Sequence, residues 1–549
     1  MKKITLSLFA AMAASCALAQ GNVDFSAQLG NNNSVTVFQE GLTNLNGILQ
    51  IGYRNSGDIN QVGITNSNST LSFGAFNEVD VDQVGGYNEA VQNQYGIANE
   101  ATVDQGANGF LYQSFNNSLQ NQYGFFNDAY VIQKGIGNGA TQTQRGVGND
   151  ASSDQRSQAR GNTSTQTQTG FFNDADIVQR TSGFFYQGNT ATQTQEGLAN
   201  DAYAYQNGNR NNSSQDQDGN FNDASVYQDG NQNTATQVQD GNRNDAYIDQ
   251  DGNQNTATQD QDGNRNDAYV HQEGNNNNAS QDQDGDRNDA YVHQDGNNNN
   301  ASQDQDGDRN DADTHQHGNN NNASQTQDGW RNDAYADQEG HRNISSQTQK
   351  GSRNDAYVHQ DGDDNDASQT QDGWRNDAEA HQHGNFNRSN QTQDGSRNDA
   401  YVYQDGNNNR AMQYQEGMRN DASSIQEGNS NQSDQWNLGN DNISENSQYG
   451  NSNSTLQWIS GNSNEAYSLT IGDSNEVLMG MLGNNNYSAV LQYGNSNHLH
   501  TSQTGNNHFS LNAQLGNHNI ILNKQEGYGQ SHVGLQVGNN NIQSIHQKD

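Results

Sequence analysis

Apolar side chains are sparse in this chain, and they do not fall at random. Over residues 189–428 they sit in an eleven-residue frame, N-x-A-x-x-x-Q-x-G-x-x. One copy supplies Asn244, Ala246, Ile248, Gln250 and Gly252. The next supplies Asn255, Ala257, Gln261 and Gly263, and a third Asn266, Ala268, Gln272 and Gly274. Successive side chains on a strand point to opposite faces, so the Asn, Ala and Gln of each copy share one face. The spacing therefore predicts an inward ladder of these residues, with Asp245, Tyr247 and Asp249 outward. Glycine and its polar neighbours supply the turn. An eleven-residue period also suits a right-handed helical supercoil. That alternative fails because every unit carries Gly with Asn or Asp, which are poor helix formers, and has no apolar stripe.

A second period lies over the first. Units of the type Asn288-Asp-Ala-Tyr-Val-His-Gln alternate with the type Asn299-Asn-Ala-Ser-Gln-Asp-Gln. The complete repeat is thus 22 residues: strand, turn, strand, turn. Neither strand buries much alone, so successive rungs must stack, with strands about 4.8 Å apart. From Gly197 to Gly538 a glycine recurs every eleven residues, 32 in all. The expected fold is an all-β, parallel β-solenoid of stacked 22-residue strand-turn-strand rungs, amyloid-like, with 46 units. Residues 20–98 read as degenerate repeats with more apolar inward positions (Val35, Val37, Ile48, Val79, Val81). Residues 99–188 hold repeats with insertions, expected to loop out at turns. Residues 189–428 are the regular array. Residues 429–549 are divergent and more apolar, losing the Gln at Asn437, Ile459, Thr470 and Met481. Both ends read as specialised rungs, since solenoid ends need distinct caps.

Composition alone points elsewhere. A net charge of −40 and 28% hydrophobic residues are usual for disorder, but disorder needs no strict period. Proline is absent, as a stack in which every strand lies between two others requires. Residues 1–19 read as an export signal: Lys2 and Lys3, an apolar stretch, then Ala17-Leu18-Ala19. Cleavage between Ala19 and Gln20 would remove Cys16, the one cysteine, leaving no disulfide or thiolate site. Cys16 as a lipidated residue is a weaker alternative, because the preceding Ala13-Ala14-Ser15 lacks the usual leucine. No later segment is long and apolar enough to be a transmembrane helix.

The tandem pattern carried by Asn266, Ala268, Gln272, Gly274, Asn277, Ala279 and Gln283 resembles the curlin repeat of bacterial curli fibre subunits. The resemblance implies a secreted, extracellular amyloid-type fibre subunit acting in biofilm matrix and surface adhesion. It also implies a Gram-negative-type source and, as partners, further curlin-type subunits, an outer-membrane secretion pore and a nucleator. One departure is plain: curlin subunits carry few repeats, and this chain has more than twenty.

Stacking turns periodic residues into columns. Asp recurs every 22 residues from Asp201 to Asp421, and Arg243, Arg265, Arg287 and later arginines each precede such an Asp by two. The Arg column is expected to offset Asp–Asp repulsion. Asp240, Asp251 and Asp262 are candidates for weak divalent-cation binding; otherwise no cofactor or metal is expected. Tyr247, Tyr269, Tyr335 and Tyr357 are expected to stack outward. His271, His293, His315, His359 and His381 form a column without a closed ligand set. On acidification the His column is expected to gain charge and oppose stacking. No catalytic motif is present, and strong acidity disfavours nucleic acid as a partner. A monomeric capped adhesin stalk and an ice-binding solenoid are the alternatives; the Thr columns (Thr234, Thr236, Thr256, Thr258) span too few rungs for ice.

Overall fold

The structure is a computed structural model that describes residues 21–106, 114–157, 161–181 and 187–548. The predicted export signal and the Ala19–Gln20 junction lie outside the described residues. Every regular element among the described residues is a β-strand, seven to nine residues long. Residues 21–276 and 277–548 form two compact units.

In each unit, alternate strands build two parallel sheets, and a strand pairs with its counterpart one rung on. In the first unit Asp223–Asn231 pairs with Asp245–Asn253, matching Ala224 to Ala246 and Gln228 to Gln250. Thr234–Asn242 pairs in the facing sheet with Thr256–Asn264. In the second unit Asp311–Asn319 pairs with Asp333–His341 in the same register. This is a parallel β-solenoid with 22-residue rungs. One strand, Ile542–Lys548, follows the last turn glycine, so the described residues hold 47 strands, one more than the 46 glycine-bounded units.

Two backbone features fix the turn. Gly252 has φ 121°, and a Cβ there would lie 1.9 Å from the Gly274 carbonyl oxygen. Glycine is thus required twice over, by conformation and by the approach of the next rung. Two residues before most strands a left-handed residue reverses the chain, as at Arg243 (φ 61°). Its strain is offset by an N–H that donates to the Asn220 carbonyl at 3.0 Å.

The insertions leave the ladder intact. Glu89 pairs with Asn117, 28 residues on, Gly139 with Thr163, 24 on, and Thr163 with Thr190, 27 on, all in parallel register. Residues 107–113, 158–160 and 182–186, which fall between strands there, lie outside the described residues.

The core is apolar only in places. Ile48, Ile59, Val79, Val81, Val103 and Val131 form one cluster, with Val35 and Val37 against it. Ile459, Val477, Met479, Met481, Leu499 and Ile521 form another. Ile459 and Met481 replace inward glutamines, so loss of Gln there exchanges hydrogen bonds for apolar contact. The apolar residues Trp458 and Leu482 of this segment are instead on the outer face, each 56% exposed.

Candidate assembly surface: ladders and open end rungs

The solenoid interior is chiefly amide. Asn244, Ala246, Ile248 and Gln250 are buried, as are Asn255, Ala257 and Gln261, and Asn266, Ala268 and Gln272. Gly252, Gly263 and Gly274 lie in the last residues of their strands, next to the turns, and are half-buried.

Each polar member has a fixed task. Asn244 sits where the turn enters the strand. Its N–H donates to Asn222 Oδ1 one rung back (3.1 Å), and its Nδ2 donates to the carbonyls of Asp240 (3.3 Å) and Gly263 (3.1 Å). One asparagine thus ties its own turn to the next. The Gln250 Nε2 donates to Gln272 Oε1 (2.9 Å) and to the Thr234 carbonyl of the facing sheet (3.1 Å). The amide runs along the stack and across it at once. Such bonds are worth about 1 kcal/mol each, net, and leaving a buried amide unpaired costs more. The interior is therefore selective: it admits a rung that brings Asn and Gln in register and penalises one that does not.

A second glutamine column escapes the N-x-A-x-x-x-Q frame. Gln237 and Gln259 occupy the inward position that Ile248 holds in the alternate strand, and both are fully buried. The Gln237 Nε2 donates three ways: to Gln259 Oε1 (2.9 Å), to the Ala246 carbonyl (2.7 Å) and to the Ser225 carbonyl (3.1 Å). Comparing the two alternating unit types at their fifth position would have found it, since the residue there is Val or Ile in one and Gln in the other.

The ladders are open at both ends among the described residues. Val23–Asn31 and Ser34–Leu42 each pair on one side only, with Leu45–Tyr53 and Ser56–Ile64. At the other end Ser531–Val537 and Ile542–Lys548 pair only with Phe509–Leu515 and Ile520–Tyr528. The end rungs keep the strand-turn form and inward glutamines at Gln28, Gln39, Gln536 and Gln547.

The family model of the Curlin associated repeat matches residues 74–106, 282–307, 307–340, 348–373 and 392–417. The chain carries curlin associated repeats. No curated protein matches it. The matched segments span the inward Gln, the turn glycine and the following Asn, the same residues that make the ladder bonds. A curlin-repeat solenoid is a structural repeat fold.

The outer columns of these curlin repeats stack as rings and charges. Tyr247 and Tyr269 lie 4.9 Å apart and nearly parallel, and Tyr335 and Tyr357 lie 5.1 Å apart. The Arg column does not do what the spacing suggests. Arg331 and Arg353 lie over the Trp330 ring at 4.2 and 4.9 Å, and Arg375 and Arg397 over Trp374 at 4.3 and 4.9 Å. The left-handed turn position aims these guanidiniums along the turn edge toward the aromatic rings, away from the Asp two residues on. Arg419 does pair with a carboxylate, Asp441 of the next turn, at 2.6 Å.

Without that offset the Asp column stays mutually repulsive. Neighbouring strands partly dehydrate its carboxylates, and adjacent Asp charges add to this. Asp311 and Asp377 are pushed up to about 7, and Asp150, Asp174, Asp223, Asp333 and Asp421 to about 6. The histidines sit among acids: His359 Nδ1 is 3.1 Å from Asp337, and His315 Nε2 is 2.9 Å from Asp313. Hydrogen bonding to these carboxylates raises the pKa of His271, His315 and His359. Protonated histidine is therefore held by the stack, which reverses the expected opposition. Among the described residues no group of three or more His, Cys, Asp or Glu could hold a metal ion.

Proposed function

We propose that this curlin-repeat chain is a secreted structural subunit of a curli-type amyloid-like fibre, acting in biofilm matrix and surface adhesion. It grows by templated strand addition. The observation that carries this reading is the open ladder at each end. Gln536 and Gln547 have Nε2 groups that bond only to facing carbonyls, Ile520 and Ser531. Internal glutamines such as Gln514 and Gln525 also donate to the next rung. The end rungs therefore offer incoming strands the bonds that internal strands already make. By family resemblance, export uses an outer-membrane pore, and a nucleator starts growth.

The test is negative-stain electron microscopy of purified chain over time, paired with an amyloid-dye signal. Unbranched fibres that seed fresh protein and abolish its lag are expected. Particles that stay single at every concentration would refute the polymer reading.

A further inference from the structure

We propose that one copy of the chain docks its first rung on the last rung of another with the two sheets exchanged, so that each strand continues the opposite sheet of its neighbour. This deepens the fibre reading above and rests on it.

The argument begins with the shape of the last rung. Ile542–Lys548 extends one sheet half a rung beyond Ser531–Val537 in the other. The next open place is therefore beside Ser531–Val537. The first strand of an incoming copy, Val23–Asn31, fills it, and Ser34–Leu42 then falls beside Ile542–Lys548. Exchange is possible because both sheets repeat the same eleven-residue unit. Joining like sheet to like would leave a strand's width empty beside Ser531–Val537, exposing buried groups.

Side chains favour the exchange. Aligning Gln28 on Gln536 and Gln39 on Gln547 continues both amide ladders. Gln28 and Gln39 each donate inward to the next rung, to Gln50 (3.1 Å) and Gln61 (2.7 Å). Their Oε1 atoms face the incoming side, where the Nε2 of Gln536 and Gln547 would arrive. The same alignment puts Asp24 in the column of His532, whose Nε2 is buried without a partner. It sets Val537 against Leu29, two side chains 67% and 65% exposed in the single chain. It sets Glu40 on Lys548, whose own neighbour below, at 3.6 Å, is Glu526. The column then reads acid, base, acid. Inside, Ile545 meets Val37. Joining like to like would place Lys548 on Leu29 and Asp24 on Gln543, losing both charge pairings.

Cross-linking reads the register directly. In a Cys16→Ala background, Leu29→Cys protein is co-assembled with Val537→Cys protein, and separately with Lys548→Cys protein. Neighbouring column positions lie about 5 Å apart, within disulfide reach. Oxidised dimers of 29 with 537 are expected to form about tenfold faster than those of 29 with 548, since in the exchanged docking residues 29 and 548 lie on the outer faces of opposite sheets, beyond disulfide reach. A charge-swap cycle gives a second readout. Glu40→Lys or Lys548→Glu alone should slow seeded elongation about two- to fivefold, and the doubly swapped chain should recover. Faster linkage of 29 with 548, or dominant 29–29 or 537–537 dimers, overturns the exchange. So does fibre growth with neither mixed link. In those cases fibres still form and the polymer reading stands; chains that never polymerise overturn both.

Discussion

Gln237→Glu changes almost nothing in size and nearly everything in hydrogen bonding. The native Nε2 donates to Gln259 Oε1, the Ala246 carbonyl and the Ser225 carbonyl at 2.9, 2.7 and 3.1 Å. An ionised glutamate is acceptor-only, so three acceptors would face a carboxylate in a fully buried site. The amide has two N–H donors shared among these three acceptors, so losing both costs about 2 kcal/mol at about 1 kcal/mol each. Dehydrating the charge adds several more unless the group takes a proton. It will take one, so its pKa in the stack rises above the reference of about 4.3. A protonated glutamate keeps one donor, leaving a deficit of about 1 kcal/mol. For a carboxyl whose pKa is raised on folding, the extra penalty is absent below the unfolded pKa and complete above the folded one. Acid should therefore rescue part of the loss. The assay is the guanidinium midpoint of assembled protein at pH 7.5 and pH 4, with Asp260→Asn as the outward control. The control should stay within about 0.5 kcal/mol of the parent. Equal shifts for the two variants, or a Gln237→Glu deficit that ignores pH, would refute the ladder argument.

Gly252→Ala should cost about 3 kcal/mol or more, because Cβ meets the next rung's backbone at 1.9 Å with φ 121°. Gly480→Ala, where a Cβ meets nothing within 4 Å, should be near neutral by the same denaturation assay. For pH, the raised Asp values mean the stack is penalised above about 6 to 7 and relieved as pH falls toward 3.8. The raised histidines add stability that is full below about 6.5 and is lost as pH rises through their folded values. Both act in one direction, so the dye-assay lag should shorten from pH 7.5 to pH 4.5; a lag that lengthens steadily would contradict this. Millimolar calcium at neutral pH should shorten it more than sodium at matched ionic strength, and equal effects would leave only screening. Residues 189–428 alone should give a strand-rich circular dichroism spectrum at high concentration; a disordered one would mean the polar array needs its apolar flanks.

The period made the fold legible. Glycine every eleven residues, alternating faces and the absence of proline lead to rungs, register and inward face with no further information. Insertions were legible too, because the units that start at Asn99, Asn149 and Asn173 run 17, 13 and 16 residues, which with one ordinary unit predicts the 28-, 24- and 27-residue pairing offsets that the strands show. What the period could not convey was direction within a turn. Arg243 and Asp245 are close in sequence, but a left-handed residue stands at Arg243 and swings its side chain to the turn edge. Spacing along the chain says which residues share a column, and it takes backbone dihedrals to say which columns touch. His271 and Asp249, 22 residues apart, share a column that the spacing already gave; only the side-chain geometry, 3.3 Å between them, shows that they pair.

The Gln237 column shows why a polar interior can be specific. A methyl group tolerates many neighbours, whereas an amide whose two N–H donors serve three acceptors is satisfied only if its own kind arrives in register on the next rung and the facing sheet presents carbonyls at the right height. Each misaligned rung therefore leaves unpaired donors in a site without water. Apolar clusters lie at 48–131 and 459–521, flanking the stretch where amide ladders dominate. Apolar rungs supply affinity with loose register, and amide rungs supply register. An end rung holding both, such as Val37 beside Gln39 or Ile545 beside Gln547, has what templated addition requires: attraction for an incoming strand and a penalty for a wrong one.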